Sequence, residues 1–258
     1  MAMYEGIGDV REKATVFVLR SAYAFLLAAA LFGLVTTLFY IHAGSTAGTY
    51  IAALATVINA VAAWHYNEII KVRVSEVISR GSEWKIDALR HGDWIVTMPL
   101  LVLKLHALVG GNSDHDTILH TVDLAAFIAA LMIAGGAFAR LGYDELHNWG
   151  EMDGFDKIVG VVLYLSSITC LVLLLIDLFN LFSDVETTTI VYAFFLVWPA
   201  YAVVALSTCA IRQFYPNDYP HFVALAKDIA YASLDVFSKA VFGWHTCSTA
   251  FGIHVLAS

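Results

Sequence analysis

A lysine and an aspartate lie in the middle of the last apolar stretch of this chain, where charged side chains are rarely accidental. Lys239 follows Asp235 by four residues, so the two side chains share one face of a helix. A lysine at the centre of a membrane helix costs roughly 2.5–3.5 kcal/mol on insertion scales. A buried amine is also the group that forms an imine with an aldehyde. Lys239 therefore suggests a carbonyl cofactor that is bound covalently within a membrane bundle.

A second set of polar residues lies along the third apolar stretch, which contains Arg90, Asp93 and Lys104. Thr97 follows Asp93 by four residues, and Lys104 follows it by eleven, which is close to a whole number of helical turns. These side chains share a face, and Asp93 and Lys104 are separated by roughly 16 Å along the axis. A proton path through a membrane requires such a column of polar groups. Pro99 interrupts the hydrogen bonding of this helix and can kink it.

The composition indicates that a membrane bundle must position these residues. Of the 258 residues, 60% are hydrophobic and 14% are charged, whereas a soluble domain has about one quarter charged residues. The net charge of −8, without a basic patch, argues against nucleic-acid binding. No internal repeat or linker is visible, so residues 1–258 form one domain. Apolar windows of about 20 residues predict seven membrane helices, at approximately 15–41, 50–70, 90–110, 117–139, 158–182, 189–211 and 223–256.

Two motifs resemble those of the microbial (type 1) rhodopsins. The third segment contains Arg-x-x-Asp-Trp-x-x-Thr-x-Pro-Leu-Leu at 90–101, and the seventh contains Asp-Val-x-x-Lys-x-x-Phe-Gly at 235–243. The sequence Trp-His-Tyr at 64–66 is similar to the proteorhodopsin branch of that family. The resemblance extends over all seven segments. It implies an all-α membrane protein, a seven-transmembrane-helix bundle with retinal in the core.

The resemblance also implies roles for individual residues. Lys239 would bind all-trans retinal as a protonated Schiff base, and Asp93 would be its primary counterion and proton acceptor. Asp235 would be the second counterion, and Arg90 would balance the pair from the extracellular side. His65 would form a hydrogen bond with Asp93 and stabilise its ionised form.

Two further polar residues have expected places near this site. Tyr66 would line the region around Asp235. Lys104 occupies the position of the proton donor in outward pumps and completes an Asp-Thr-Lys triplet with Asp93 and Thr97. A neutral Lys104 would take a proton from the cytoplasm and pass it to the Schiff base. The alternative is a lysine that extends its amine to the membrane interface without such a role.

The retinal pocket is expected to be apolar and aromatic. By position in the family, its residues are Trp94, Thr97, Met98, Leu101, Met132, Gly136, Trp198 and Tyr201, with Ser238 tuning the colour. The sixth segment departs from the family pattern at Pro199, which has moved by three residues and would displace the helix kink. In the fifth segment, Tyr164 and Ser167 are candidate pocket residues. Gly160 is a third candidate, and a glycine there would open a lateral window for a carotenoid antenna, but ordinary helix packing is the favoured explanation.

The predicted function is an outward light-driven proton pump, a transporter rather than an enzyme. One alternative is a photosensory module without net pumping that has a fused or partner signalling domain. The other is a light-gated channel, which is disfavoured because the second segment has only Glu68 near its end rather than a row of carboxylates. The other expected partners are membrane lipid and further copies of the chain, as a trimer or pentamer. Asp228 near the start of the seventh segment is expected to be solvated.

The family orientation places the N-terminus outside the plasma membrane. The distribution of cations argues the other way, because Lys and Arg cluster on the N-terminal side of the bundle and positive charge favours the cytoplasm. These cations are Arg11, Lys13, Lys71, Arg73, Arg80, Lys85, Arg140, Lys157, Arg212 and Lys227.

Overall fold

A computed structural model describes residues 2–76, 80–109, 115–139, 154–183, 189–214 and 221–248 of the chain. Within these ranges the protein forms seven helices and no strand. The seventh helix passes through a π-helical turn at Val236–Val241 and continues over 242–248. The helices are α1 (Ala2–His42), α2 (Thr46–Ser75), α3 (Arg80–Val109), α4 (His115–Ala137), α5 (Gly154–Ser183), α6 (Thr189–Phe214) and α7 (His221–Asp235, extended by the π-helical turn).

The helices pack in chain order and α7 closes the bundle. Each of α1 to α4 packs against the next helix, and α7 contacts α1 and α6. The π-helical turn of α7 also contacts α2, so the seventh helix lies against the second at the level of Lys239. Helices α2, α3 and α7 therefore bring the polar residues of distant segments to one interior.

The turn between α1 and α2 shows how local sequence ends one helix and begins the next. Gly44 has a φ of 71°, the left-handed conformation that glycine tolerates. The N–H of Ser45 donates to the carbonyl of Tyr40 (3.0 Å) and the N–H of Gly44 to that of Ile41 (3.2 Å), a Schellman motif. Ser45 then caps α2, because its Oγ accepts from the N–H of Gly48 (3.2 Å).

Three helices are long and apolar enough to cross a membrane, judged over the described residues: Glu12–His42, Thr46–Ser75 and Gly154–Asn180. Shorter apolar stretches lie in α4 and α6, at Leu124–Ala137 and Phe195–Thr208. Helix α5 presents large apolar side chains to its surroundings, among them Phe155, Leu165 and Ile176. Helices α3 and α7 are less apolar because they carry charged residues, but most of these charged side chains are buried inside the bundle.

The prediction of seven helices in one bundle is confirmed, but several predicted boundaries are wrong. Helix α1 begins at Ala2 rather than near residue 15, and α3 begins at Arg80 rather than near residue 90. Hydropathy detects only the apolar part of a helix, whereas α3 continues through charged residues that are neutralised by neighbouring helices. The predicted end of the last helix at residue 256 lies outside the described residues.

Candidate functional site

Lys239 lies between two carboxylates in the middle of the bundle. Its Nζ donates a hydrogen bond to Asp93 Oδ2 of α3 and lies 3.0 Å from Asp235 Oδ1, one turn earlier in its own helix. The side chains of Lys239, Asp93 and Asp235 are almost completely buried. A buried ammonium needs such partners, because an unpaired charge in this environment is very costly. The structure thus brings together the three residues that the two motifs predict.

Asp235 is held by three hydrogen-bond donors from three other helices. The hydroxyl of Tyr66 donates to Oδ2 (2.8 Å), and that of Tyr201 donates to Oδ1 (2.8 Å). The indole N–H of Trp94 also reaches Oδ1, at 3.3 Å. The Tyr201 hydroxyl forms a further hydrogen bond with Ser238 Oγ (2.9 Å). Asp235 is therefore a fixed carboxylate whose charge is shared among α2, α3 and α6.

Asp93 has a different environment from that of Asp235. Among the described residues, its Oδ1 accepts no hydrogen bond. Thr97 does not reach the carboxylate, because its hydroxyl donates to the backbone carbonyl of Asp93 (3.0 Å). The expected hydrogen bond from His65 is not formed either. The His65 ring uses Nδ1 to bind the carbonyl of Val61 in its own helix (2.9 Å) and stands beside Gly92.

Arg90 is buried, but it does not balance the carboxylates at Lys239 as expected. Its Nη2 pairs with Asp228 Oδ1 (2.5 Å), its Nη1 lies 3.4 Å from Asp87, and its guanidinium carbon lies 5.1 Å from the centre of the Tyr231 ring. The prediction that Asp228 is solvated is wrong, because this side chain is completely buried. A second guanidinium explains its burial, since Arg73 Nε lies 2.6 Å from Asp228 Oδ2.

These contacts belong to a larger set of charges, the N-terminal ion network, which joins the end of α2 to the beginnings of α3 and α7. Arg73 also pairs with Glu83 (2.5 Å), and Lys227 pairs with both Glu83 (3.0 Å) and Asp87 (2.8 Å). Three cations balance three carboxylates, and each side chain is at most 2% exposed. The members of the network are Arg73, Glu83, Asp87, Arg90, Lys227 and Asp228.

Sequence reasoning missed this network, although one signal was present. Glu83, Asp87 and Arg90 follow one another at spacings of four and three, so they lie on one face of α3. Their partners in α7 are more than 130 residues away, and no local pattern identifies them.

Lys104 is fully buried, and its amine does not extend to the membrane interface. No hydrogen-bond partner for Nζ is present among the described residues. The nitrogen lies 4.5 Å from the centre of the Phe242 ring, a cation–π contact if it is protonated. The interfacial alternative for Lys104 is therefore wrong. His106, two residues later, is paired instead with Asp177 of α5 (3.2 Å).

An apolar cavity lies beside the lysine and its carboxylates. Its empty volume is about 890 Å³, including the space at its mouth. Six predicted pocket residues line it, namely Trp94, Met98, Met132, Gly136, Trp198 and Tyr201, together with the candidates Tyr164 and Ser167. Because Trp94 and Tyr201 also bind Asp235, the cavity adjoins the charged site. An elongated apolar group attached to Lys239 fits these surroundings.

Some predicted pocket residues lie elsewhere, and some lining residues were not predicted. Leu101 packs in the apolar core, Thr97 is turned toward its own helix, and Ser238 contacts Tyr201. Sequence reasoning missed His91 and Tyr231, which line the cavity and whose rings both lie against Trp94. His91 lies three residues before Trp94, a spacing that could have indicated their contact.

Solved structures of other proteins agree with this arrangement, although no curated protein sequence matches the chain. Viral rhodopsin OLPVRII is 20% identical over 93% of this chain and 99% of its own, with a TM-score of 0.67. The light-driven proton pump LR (Mac) from Leptosphaeria maculans is 17% identical over 92% and 96%, with a TM-score of 0.66. Xanthorhodopsin, a light-driven ion pump with a dual chromophore, is 20% identical over 92% of each chain, with a TM-score of 0.64.

These structural likenesses show the same fold, and the family follows from the sequence itself. The family model described as a bacteriorhodopsin-like protein matches residues 19–253, which is most of the chain. The match includes both motifs and every residue of the site around Lys239. The chain therefore belongs to the bacteriorhodopsin-like family, the microbial rhodopsins.

Proposed function

We propose that this chain is an outward light-driven proton pump that carries all-trans retinal on Lys239. The observation that carries this proposal is the position of Lys239 Nζ, which lies between Asp93 and Asp235 beside an apolar cavity. Lys239 would hold retinal through its aldehyde, and the bound group would supply a light-driven isomerisation beside Asp93 and Asp235. The chain itself contributes the proton acceptor, the fixed charges and the route of return.

The two carboxylates differ in ways that suit two roles. Asp235 accepts hydrogen bonds from Tyr66, Tyr201 and Trp94, and hydrogen bonds of this kind stabilise the ionised form of a carboxylate. Asp93 has an oxygen without a donor, so its charge is stabilised chiefly by Lys239. When the proton leaves the Lys239 nitrogen, Asp93 loses its ion pair and is the carboxylate that accepts the proton.

The return of a proton is proposed to involve Lys104. Lys239 of α7 is paired with Asp93 of α3, and Lys104 follows Asp93 by roughly 16 Å toward the C-terminal end of α3. The family orientation makes this end cytoplasmic. A buried amine that has no hydrogen-bond partner in the described part of the chain can take a proton from that side and pass it toward the Lys239 nitrogen.

The proposal is tested by illuminating proteoliposomes or whole cells in an unbuffered medium and recording the pH with an electrode. For whole cells, light is expected to acidify the medium, and a protonophore is expected to abolish this change. Asp93→Asn removes the proton acceptor and is expected to abolish transport while colour remains. Lys239→Ala removes the attachment point and is expected to abolish colour. A coloured wild-type protein that produces no light-dependent pH change contradicts the pump.

A photosensory module without net transport is the second candidate, and the N-terminal ion network favours it. A proton released from Asp93 toward the N-terminal side must pass a region where six buried charges neutralise one another. A photosensory module with a fused or partner signalling domain is expected to show a light-induced absorbance cycle without acidification. A light-gated channel, the third possibility, is expected to give a passive photocurrent that reverses with the membrane voltage.

The remaining partners are proposals that follow from the surface and the family. Lipid is expected to cover the apolar side chains exposed on α1 and α5, including Phe25, Leu31 and Phe155. Assembly as a trimer or pentamer in the plasma membrane rests on resemblance to the family. Gly160, the residue proposed to open a carotenoid window, is buried and does not line the cavity.

A further inference from the structure

We propose that Asn59 of α2 is a positioning residue for the return of the proton. It holds the backbone of Lys239 and binds a water molecule between Lys104 and the Lys239 nitrogen. This inference rests on the proposed pump. In the transfer, neutral Lys104 first takes a proton from the C-terminal side. One proton then leaves Lys104 Nζ for the water and one passes from the water to the Lys239 nitrogen, so that the water is regenerated and Lys104 is neutral again.

Asn59 connects α2 to the backbone of Lys239. The side chain is completely buried, and its Nδ2 donates to the carbonyls of Ala55 (2.8 Å) and Lys239 (3.3 Å). The lysine lies in the π-helical turn, where the N–H of Phe242 reaches the carbonyls of both Phe237 and Lys239. A π-helical turn alters the usual backbone pairing, and such turns are frequent at functional sites. Asn59 therefore contacts the one residue of α7 whose nitrogen carries the chemistry.

The second half of the Asn59 amide points to a ligand. Its Oδ1 is buried and accepts no hydrogen bond from the described residues. An unsatisfied buried acceptor costs about 1–3 kcal/mol, so such atoms in folded proteins normally bind ordered water. On the same side of Lys239, the amine of Lys104 is also buried, and no described residue forms a hydrogen bond with it. Within the described ranges, the same half of the bundle thus contains an acceptor and an amine that lack protein partners.

The positions along the helices place Asn59 between Lys104 and Lys239. Tyr66 of α2 lies at the level of Asp235, because the two side chains are hydrogen-bonded. Helix α2 runs antiparallel to α7, so Asn59, seven residues before Tyr66, lies roughly 10 Å further toward the C-terminal side. Lys104 is farther in that direction, roughly 16 Å from the level of Asp93. A water bound to Asn59 shortens a gap that is too long for direct proton transfer.

Gly243 keeps this position open. A Cβ built on Gly243 would lie 2.9 Å from Asn59 Nδ2 and 3.9 Å from Ala55 Cβ. Any side chain at this position would displace the amide from Lys239. The motif glycine that follows Phe242 therefore has a physical reason in this chain, which is the close approach of Asn59.

Flash photolysis of the retinal-loaded protein tests the inference with Asn59→Leu, which is similar in shape and lacks both polar atoms. The Lys239 nitrogen is expected to lose its proton at the wild-type rate and regain it about tenfold more slowly, a change in barrier of about 1.4 kcal/mol. Asn59→Ser, which keeps an acceptor, is expected to be slowed less. Sodium azide, a small proton carrier, is expected to restore the rate in Asn59→Leu, because it bypasses the missing relay.

Thr246→Val is the matched control. Thr246 is another buried polar residue of the same half, but its hydroxyl donates only to the carbonyls of Phe242 and Gly243 in its own helix. This variant is expected to return the proton at the wild-type rate. A slowing of Asn59→Leu that azide does not relieve would indicate a structural effect on Lys239 and overturn the relay.

Infrared spectroscopy of the retinal-free protein provides a readout that is independent of transport. The amide C=O band of Asn59 is identified as the band that is lost in Asn59→Leu. We expect this band at the frequency of a hydrogen-bonded carbonyl. A band at the frequency of a free carbonyl contradicts the bound water. If the wild-type protein does not pump but the band shows a hydrogen-bonded carbonyl, the proposed pump function is contradicted and the proposed water site is supported. If the wild-type protein pumps and Asn59→Leu returns the proton at the normal rate, only the proposed role of Asn59 in proton return is contradicted.

Discussion

Lys104 has a completely buried amine with the Phe242 ring 4.5 Å away and no hydrogen-bond partner among the described residues. Lys227 is equally buried, but it pairs with Glu83 and Asp87. At the residue scale, the comparison suggests that Lys104 has a functional role and Lys227 a structural one. An unpaired polar group lowers stability, so its presence indicates a role that offsets this loss.

Replacement of the two lysines by methionine is expected to have opposite effects. Lys104→Met removes an unpaired amine, so we expect the free energy of unfolding to rise by about 1 kcal/mol or more. The same change is expected to slow proton return to the Lys239 nitrogen by about 100-fold, within the range of general acid catalysis. Thermal denaturation and flash photolysis measure the two effects.

Lys227→Met is the control for this pair, and it leaves the three buried carboxylates of the network with only two cations. It is expected to destabilise the protein by about 3–5 kcal/mol. If Lys104→Met destabilises the protein as much as Lys227→Met does, then Lys104 has a structural partner and the proposed donor role loses its support.

At the scale of helices, the N-terminal ion network fixes the end of α2 and the beginnings of α3 and α7 to one another. Arg73 joins α2 to both other helices through Glu83 and Asp228. A buried ion pair contributes little net stability compared with apolar side chains, but removing one partner is strongly destabilising. The network therefore specifies which helix faces meet, and it holds Arg90 away from Asp93 and Asp235.

A double-mutant cycle on Arg73 and Glu83 tests this account of the network. Arg73→Gln is expected to lower the free energy of unfolding by about 3–5 kcal/mol, since it leaves three buried carboxylates with only two cations, Arg90 and Lys227. Adding Glu83→Gln is expected to recover part of that loss, because the second change removes the excess charge. Thermal bleaching of the retinal-loaded variants measures the order. Additive losses in the double variant would show that the two side chains do not interact.

At the scale of the whole molecule, the structure reduces the conflict over orientation. The predicted cation excess on the N-terminal side includes Arg73 and Lys227, which are buried in the ion network rather than free in loops. The positive-inside rule applies to loop residues near the membrane, so part of the apparent bias disappears.

We expect the N-terminus to lie outside the cell. A protease added to intact cells is expected to remove an epitope tag placed before Met1, while a tag after Ser258 is expected to be protected. The reverse pattern of protection would mean that the same path carries protons into the cytoplasm. A matching pH measurement on the same cells is then expected to show alkalinisation of the medium in the light.

Much of this architecture was predictable from local sequence. Hydropathy identifies seven segments because membrane helices must bury about 20 residues in hydrocarbon. Spacings of four and eleven residues place Asp235 beside Lys239, and Asp93 on the same face of α3 as Lys104. These conclusions depend only on the helical repeat, which is the same wherever the helices pack.

The sequence by itself therefore determined the helices, the reactive lysine and the faces that carry its partners. Only the tertiary structure decided that Asp228 is buried, that Arg90 binds it, and that the His65 ring binds the carbonyl of Val61 rather than Asp93. It also brought Asn59 to the backbone of Lys239, 180 residues away. The physical reason is that pairing and burial of polar side chains depend on contacts between helices remote in the chain, which no local spacing encodes.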